Sequence, residues 1–123
     1  MQEQGRTILY NGRQGLFYEV YFEPDTDVLI ETSRPTLETV GRQMAANPTL
    51  RVLLRAYAAP FKTIPGRYFV SESRGEFCRD YLVQRYGIAA NRISIESYGS
   101  TMKPEHVTND WGSYRCVELI TYQ

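Results

Sequence analysis

The chain has few of the residues that build disulfide scaffolds and metal centres. Its 123 residues include two cysteines and one histidine, with no Cys-x-x-Cys pair, which excludes a disulfide-rich scaffold or a cysteine-based zinc cluster. We expect Cys78 on a helix and Cys116 on a strand beneath it. A helix packed on a sheet usually holds the two backbones too far apart for a disulfide. The sequence therefore predicts two buried free thiols, no metal site and no cofactor.

Long apolar runs and net charge are also absent. No apolar stretch approaches the roughly 18 residues that a transmembrane helix requires, so we expect no transmembrane segment in this chain. Fourteen basic and fourteen acidic residues cancel, which argues against a nucleic-acid binder that works through bulk electrostatics. Residues 1–5 lack the basic start and apolar stretch of a secretory signal. Two alternatives remain: a cytoplasmic protein, or a domain of a longer exported protein.

Recognisable catalytic and nucleotide-binding patterns are missing as well. The glycines are too scattered for a phosphate-binding loop. His106 has acidic neighbours but no activated Ser or Cys that the sequence can identify, which favours a surface histidine. The acidic stretch 23–27 lacks the Gly and the distal Glu of a calcium loop and is interpreted as a solvated turn. Trp111, with Tyr98 and Tyr114 nearby, is interpreted as packing at the edge of the core. We therefore expect a noncatalytic protein.

The apolar content is what one compact core needs. Hydrophobic residues make up 42% of the chain, enough for one core, and the length is too short for two ordinary domains. We interpret residues 1–15 as an N-terminal lead-in with a hairpin strand, and residues 16–123 as the domain proper.

The first half of the chain predicts a hairpin, a helix and a buried strand. Asn11-Gly12 between two apolar runs indicates a tight hairpin turn. Ser33 is in position to cap a helix that ends at Asn47, and its apolar residues recur at three- and four-residue steps. Residues 50–57 have a nearly continuous apolar centre, which is typical of a strand covered by helices.

The second half predicts a loop, a helix and two strands. The stretch 58–66, with two prolines, indicates a loop. A second helix is expected to begin near Ser71 and to end at Gly87. Strands follow at 92–96 and 114–122. The sequence thus predicts a mixed α/β (α+β sandwich) domain in β-α-β-α-β-β order, with two main helices on one face of a mixed sheet that the N-terminal hairpin extends.

Four blocks of the sequence, in their order and spacing, resemble the OmpA-like C-terminal domain from about Val20 to Tyr122. The first, Val20-Tyr21-Phe22, looks like the family's opening strand. Val70-Ser71-Glu72-Ser73-Arg74 is similar to that family's Leu-Ser-x-x-Arg-Ala stretch, and Ala56-Tyr57-Ala58-Ala59 lies where the family has Gly-x-Thr-Asp. The closing strand with Cys116-Val117-Glu118 resembles the family's Arg-Val-Glu. The resemblance implies a noncatalytic module of the periplasm or cell envelope, as a domain of an exported protein.

The resemblance also implies a ligand and a site. In the family, the loop Asp receives the ammonium of diaminopimelate in the peptidoglycan stem peptide, and the helix Arg takes its carboxylate. Arg74 matches the Arg, while Ala59, fifteen residues earlier, occupies the Asp position. Arg67 stands where the family usually has Asn, and Tyr57 and Ala58 complete the loop. A methyl group cannot neutralise an ammonium, so the charge pair that a zwitterion needs is incomplete.

Several hypotheses follow from the incomplete clamp. In the first, family-type peptidoglycan binding is lost or very weak, and the domain serves a structural role or binds envelope proteins. In the second, an altered clamp still binds peptidoglycan, or a wall built on another diamino acid, with a backbone carbonyl, Glu72 or Glu76 replacing the Asp. A cytoplasmic α/β enzyme is a third alternative, without a visible nucleophile and base.

Arg74 itself has two interpretations. It either bridges to a loop carbonyl or a surface acid, or lies free beside Arg67 and Arg55 in a pocket that attracts anions.

Overall fold

Five strands form one sheet that carries two helices, in a computed structural model that describes residues 5–59, 64–101 and 114–123. The strands are β1 (Arg6–Tyr10), β2 (Arg13–Tyr21), β3 (Arg51–Tyr57), β4 (Ile93–Gly99) and β5 (Cys116–Tyr122). The helices are α1 (Arg34–Ala46) and α2 (Ile64–Tyr86), with short 3-10 turns at Glu31–Ser33 and Ala90–Arg92. The predicted fold class and element order are confirmed.

The sheet is mixed and has the strand order β1-β2-β5-β3-β4. The β3–β4 pair is parallel and the other neighbours are antiparallel, as expected for two strands joined by a crossover helix, here α2. Because β2 and β3 both run opposite to β5, and β4 runs parallel to β3, the carboxyl ends of β2, β3 and β4 lie at the same end of the sheet, here called its carboxyl end. The predicted hairpin is confirmed: Asn11 and Gly12 both have positive φ angles, at 51° and 75°, as a two-residue turn between twisted strands requires.

Alternation along the strands divides the sheet into two faces. One face packs against both helices and forms the main core, which includes Tyr18, Val20, Phe22, Leu37, Val40, Met44, Val52, Leu54, Cys78, Leu82, Val117 and Leu119. The opposite face holds a smaller apolar cluster of Phe17, Leu53 and Ile120, flanked by Ile8, Tyr10 and Tyr122. The even-numbered residues of β2 face the helices, as the two-residue alternation of side chains along a strand requires.

The start of α2 differs from the prediction. The helix begins at Ile64, not near Ser71, because Pro65 falls in the first turn, where its missing N–H costs nothing. Ser71 is therefore inside the helix. Its hydroxyl donates to the Tyr68 carbonyl (3.0 Å) and accepts from the Gly99 N–H (3.1 Å), tying α2 to the end of β4.

Ser33 also serves a different purpose from the predicted cap. It stands at the N-terminus of α1, but its side chain makes no capping hydrogen bond. Instead the buried Ser33 hydroxyl accepts from the Tyr21 N–H at 2.9 Å, which binds the start of α1 to the end of β2. Ser33 and Ser71 thus both join a helix to the carboxyl end of the sheet.

Both cysteines are fully buried and free, as predicted. Burial raises the pKa of the Cys78 thiol and of the Cys116 thiol, so neither is a reactive thiolate at neutral pH. Within the described ranges, no helix combines the length and apolar character needed to cross a membrane.

Gly41 sets how closely α1 approaches the end of α2, and this predicts the effect of adding one methyl group. A Cβ at Gly41 would lie 2.3 Å from the nearest Tyr86 ring atom. We expect Gly41→Ala to lower the free energy of unfolding by about 1 to 3 kcal/mol, because overpacking outweighs the better helix propensity of Ala. Urea denaturation measures this change.

The matched control removes the ring that the methyl group would meet. In a Tyr86→Leu background, Gly41→Ala should be neutral or stabilising, since only helix propensity remains. Equal destabilisation in both backgrounds would contradict a clash with Tyr86.

Candidate functional site

Arg74 lies at the carboxyl end of the sheet, beside the last residues of β2, β3 and β4. Its side chain comes from the middle of α2 and is 1% exposed. The guanidinium donates to three backbone carbonyls: Nε to Thr26 at 2.8 Å, Nη1 to Tyr57 at 2.9 Å and Nη2 to Glu23 at 3.1 Å. These are the loop-carbonyl contacts of the first interpretation of Arg74. One side chain therefore joins α2 to the segment after β2 and to the last residue of β3.

Arg74 remains a cation in this buried position. Removal from water lowers its pKa to about 10, and nearby Asp25 and Asp27 oppose that shift. The value is still well above neutral pH, so the guanidinium is protonated. Its carbon lies 5.6 Å from the centroid of the Phe22 ring, within cation–π distance.

The loop after β3 places the other residues of the predicted clamp. Tyr57 is 2% exposed, and its hydroxyl donates to Glu118 at 2.7 Å while its carbonyl accepts from Arg74. Ala58 donates its N–H to the Gly99 carbonyl at 2.8 Å. Ala59 is 7% exposed and presents only a methyl group. The loop is thus held by backbone bonds and by Glu118, and residue 59 contributes no charge.

Arg67 lies two helical turns before Arg74, about 10 Å along the axis of α2. Its Nη1 donates to Ser100 Oγ at 3.2 Å, beside Gly99, where an added Cβ would lie 3.2 Å from the Arg67 Cβ. Gly99 has φ +56° in the turn that ends β4. Arg67 therefore binds the end of β4, and Arg74 binds the ends of β2 and β3.

Arg55 lies on the opposite face of the sheet from the helices. It forms an ion pair with the fully buried Glu118 (3.2 Å), which also accepts from Tyr57. Burial and Glu118 both raise the pKa of the Tyr57 hydroxyl, so it remains a donor. The hypothesis of a free Arg74 grouped with Arg67 and Arg55 is wrong, since Arg74 is buried in backbone contacts and Arg55 faces away.

A cavity of about 310 Å³ lies next to the Arg74 contacts. Its walls are the loop after β2, with Asp25 and Asp27, and the first half of α2, with Phe69, Val70 and Ser73. Asp25 has a positive φ of 57°, and both carboxylates are exposed. The acidic stretch 23–27 was expected to form a solvated turn, and both carboxylates are exposed. Its position beside Arg74 follows from the topology, because β2 and β3 run in the same direction and the segments after them lie at the same end of the sheet.

Other predicted residues lie elsewhere. Glu72 is exposed and does not line this cavity, whereas Glu76 lines a neighbouring cavity of about 530 Å³ between α1 and α2. The two cavities share Asp27 and Ser73. His106 and Trp111 fall outside the described residues.

One protein family matches this chain by sequence. The sequence model of the OmpA family matches residues 21–113. No curated protein matches the chain. Among solved structures, the peptidoglycan-associated lipoprotein of Burkholderia pseudomallei is 18% identical with a TM-score of 0.74, covering 85% of this chain and 89% of its own.

Two further solved structures have the same fold. The periplasmic domain of MotB from Helicobacter pylori is 18% identical with a TM-score of 0.69, covering 94% of this chain and 76% of its own. An outer membrane protein of Borrelia burgdorferi is 14% identical with a TM-score of 0.73, covering 96% of both chains. At these identities the likeness establishes the architecture alone.

The contacts of Arg74 predict a large effect on stability. We expect Arg74→Met to lower the free energy of unfolding by roughly 3 kcal/mol, because three carbonyls lose their donor. Arg74→Lys should recover only part of this loss, since an ammonium cannot span three carbonyls. Denaturant titration provides the measurement.

Arg42→Met is the matched control, because Arg42 is exposed on α1 and makes a single 3.3 Å contact with Thr39. Its loss should stay within about 0.5 kcal/mol. A loss below about 1 kcal/mol for Arg74→Met would contradict the role of Arg74 as a structural tie.

Proposed function

This chain belongs to the OmpA family, and from that premise we propose that it is a noncatalytic module of the cell envelope whose clamp for diaminopimelate has been lost. The periplasm is its proposed location, in a longer exported protein. Its role is then structural, or it binds other envelope proteins, and family-type peptidoglycan binding is very weak or absent.

The observation that carries this proposal is the state of Arg74. The cation that would receive a ligand carboxylate is 1% exposed and donates to the carbonyls of Glu23, Thr26 and Tyr57. A guanidinium has five N–H donors, and three of them are used within the protein. A carboxylate would have to enter a buried position and compete with backbone contacts that stabilise the fold.

The second half of the clamp is absent at Ala59. Removing one partner of a desolvated charge pair typically costs about 2 to 5 kcal/mol, or roughly thirty-fold to several thousand-fold in affinity. Arg67 adds a positive charge at the carboxyl end of the sheet, which disfavours the binding of an ammonium group there. Both effects act in the same direction, so the zwitterionic end of the stem peptide loses its counter-charge at residue 59.

Co-sedimentation with insoluble peptidoglycan that contains diaminopimelate tests the proposal. Wild type should remain in the supernatant, and Ala59→Asp should increase the pelleted fraction several-fold by restoring the anion. Ala59→Asn is the matched control, with the same size and no charge, and should not pellet. Strong pelleting of wild type that free diaminopimelate competes away would overturn the proposal.

The cavity beside Arg74 favours a second candidate function, a peptidoglycan binder with an altered clamp. Asp25 and Asp27 line the cavity next to the Arg74 contacts, so they supply the carboxylates that residue 59 lacks. They replace Glu72 and Glu76 of the sequence hypothesis as the acids that would hold an ammonium. In this alternative the anion comes from the loop after β2.

A double variant separates this alternative from the first. If wild type pellets with peptidoglycan, Asp25→Asn with Asp27→Asn should abolish the pelleting, because the ammonium loses both carboxylates. Glu72→Gln removes one exposed negative charge outside the cavity and should leave pelleting unchanged. Pelleting that survives the double variant would exclude the altered clamp.

A further inference from the structure

Strand β1 forms one edge of the sheet, and no other described strand pairs with its outer side. It consists of Arg6–Tyr10 in continuous register with β2. An edge strand presents unpaired N–H and C=O groups to which another strand can bind. Natural edges are usually protected by a charge, a proline or a bulge.

Apart from one arginine, the five residues of β1 have none of the sequence features that usually protect an edge strand. It contains no proline, lysine or acidic residue, and its register with β2 has no bulge. Its one charged residue, Arg6, has its guanidinium carbon 4.6 Å from the centroid of the Phe17 ring, on the face of the sheet and away from the outer edge. Leu9, by contrast, is 80% exposed. The five residues of β1 thus combine an exposed apolar side chain with backbone N–H and C=O groups that pair with no other described strand.

The other edge strand, β4, is different. Its exposed positions include Ser94 and Glu96, and a second copy of the strand would bring another carboxylate to the same edge. It also pairs in parallel with β3. Charge on the edge is a common protection against pairing. Of the two edge strands, β1 is therefore the one with less protection against pairing with another strand.

The hairpin determines which backbone groups of β1 point outward. Tyr10 and Arg13 flank the two-residue turn, and in such a turn the flanking pair exchanges both hydrogen bonds. Because the pattern alternates, Ile8 also bonds to β2, and Thr7 and Leu9 direct their N–H and C=O groups to the outside.

We propose that β1 pairs with β1 of a second copy of this chain, antiparallel and with Ile8 on the two-fold axis. In this register Thr7 lies opposite Leu9 of the other copy, so the outward groups of both residues form four hydrogen bonds. The sheet then continues through two protomers. The self-complementary pattern is what a two-fold symmetric interface requires.

The charges of the chain are compatible with this partner. The formal net charge is zero at pH 7, so two copies do not repel each other as a whole. Across the axis, Arg6 lies opposite Tyr10 of the other copy, so no two like charges face each other. Leu9 loses its exposure against Thr7 of the neighbouring copy.

Disulfide trapping tests the register directly. In the proposed pairing, the two Ile8 residues form a non-hydrogen-bonded pair with Cα atoms about 4.5 Å apart, which a disulfide can span. We expect Ile8→Cys to form a covalent dimer under mild oxidation. Thr7→Cys is the matched control, because two such residues would be separated by more than the roughly 7 Å limit. The native Cys78 and Cys116 are buried and should not react.

Sedimentation equilibrium of the untagged chain tests the pairing itself. Wild type should show a reversible dimer, and Thr7→Lys with Leu9→Lys should weaken it at least tenfold, because like charges then face each other across the axis. Val28→Lys, at another exposed apolar position, should leave the dimer unchanged. Circular dichroism confirms that each variant is folded. A wild type that stays monomeric, or equal trapping at positions 7 and 8, would overturn the proposal.

Discussion

The arrangement of the carboxyl end of the sheet depends on the buried guanidinium of Arg74. It donates to carbonyls of the segment after β2 and of the last residue of β3, while its backbone belongs to α2. Backbone carbonyls that leave regular strands need donors when they are buried, and a planar cation with five N–H groups satisfies several of them from one side chain. The hydroxyls of Ser33 and Ser71 add two weaker hydrogen bonds at the same end of the sheet. The three loops near the candidate site are therefore positioned by side chains of the helices.

Local patterns predicted most of the architecture because they report local physics. The Asn11-Gly12 turn required two positive φ angles, and alternation in β2 decided which side chains face the helices. The start of α2 was misplaced because Pro65 is compatible with both a loop and a first helical turn. The hydroxyls of Ser33 and Ser71 resembled helix caps in sequence. Their real partners, Tyr21 and Gly99, are distant in the chain, and local spacing carries no information about them.

The candidate site divides in the same way. Spacing and family resemblance located Arg74 and the loop that ends at Ala59, but they could not indicate how many donors of the guanidinium were already in use. That number depends on where the carbonyls of Glu23 and Thr26 lie, which is a consequence of tertiary structure. Asp25 and Asp27 were missed for the same reason. They come from a loop that sequence distance separates from Arg74, and the parallel direction of β2 and β3 brings it close.

A positively charged side chain that is buried without a carboxylate partner is costly unless hydrogen bonds replace its hydration. At Arg74 that replacement comes from three carbonyls, whose dipoles stabilise the charge without neutralising it. Burial lowers the pKa of Arg74, and the charges of Asp25 and Asp27 oppose that shift without cancelling it. With Ala59 in place of a carboxylate, this end of the sheet combines the buried cation of Arg74 with the exposed carboxylates of Asp25 and Asp27. The negative charge beside Arg74 therefore comes from the loop after β2 and not from residue 59.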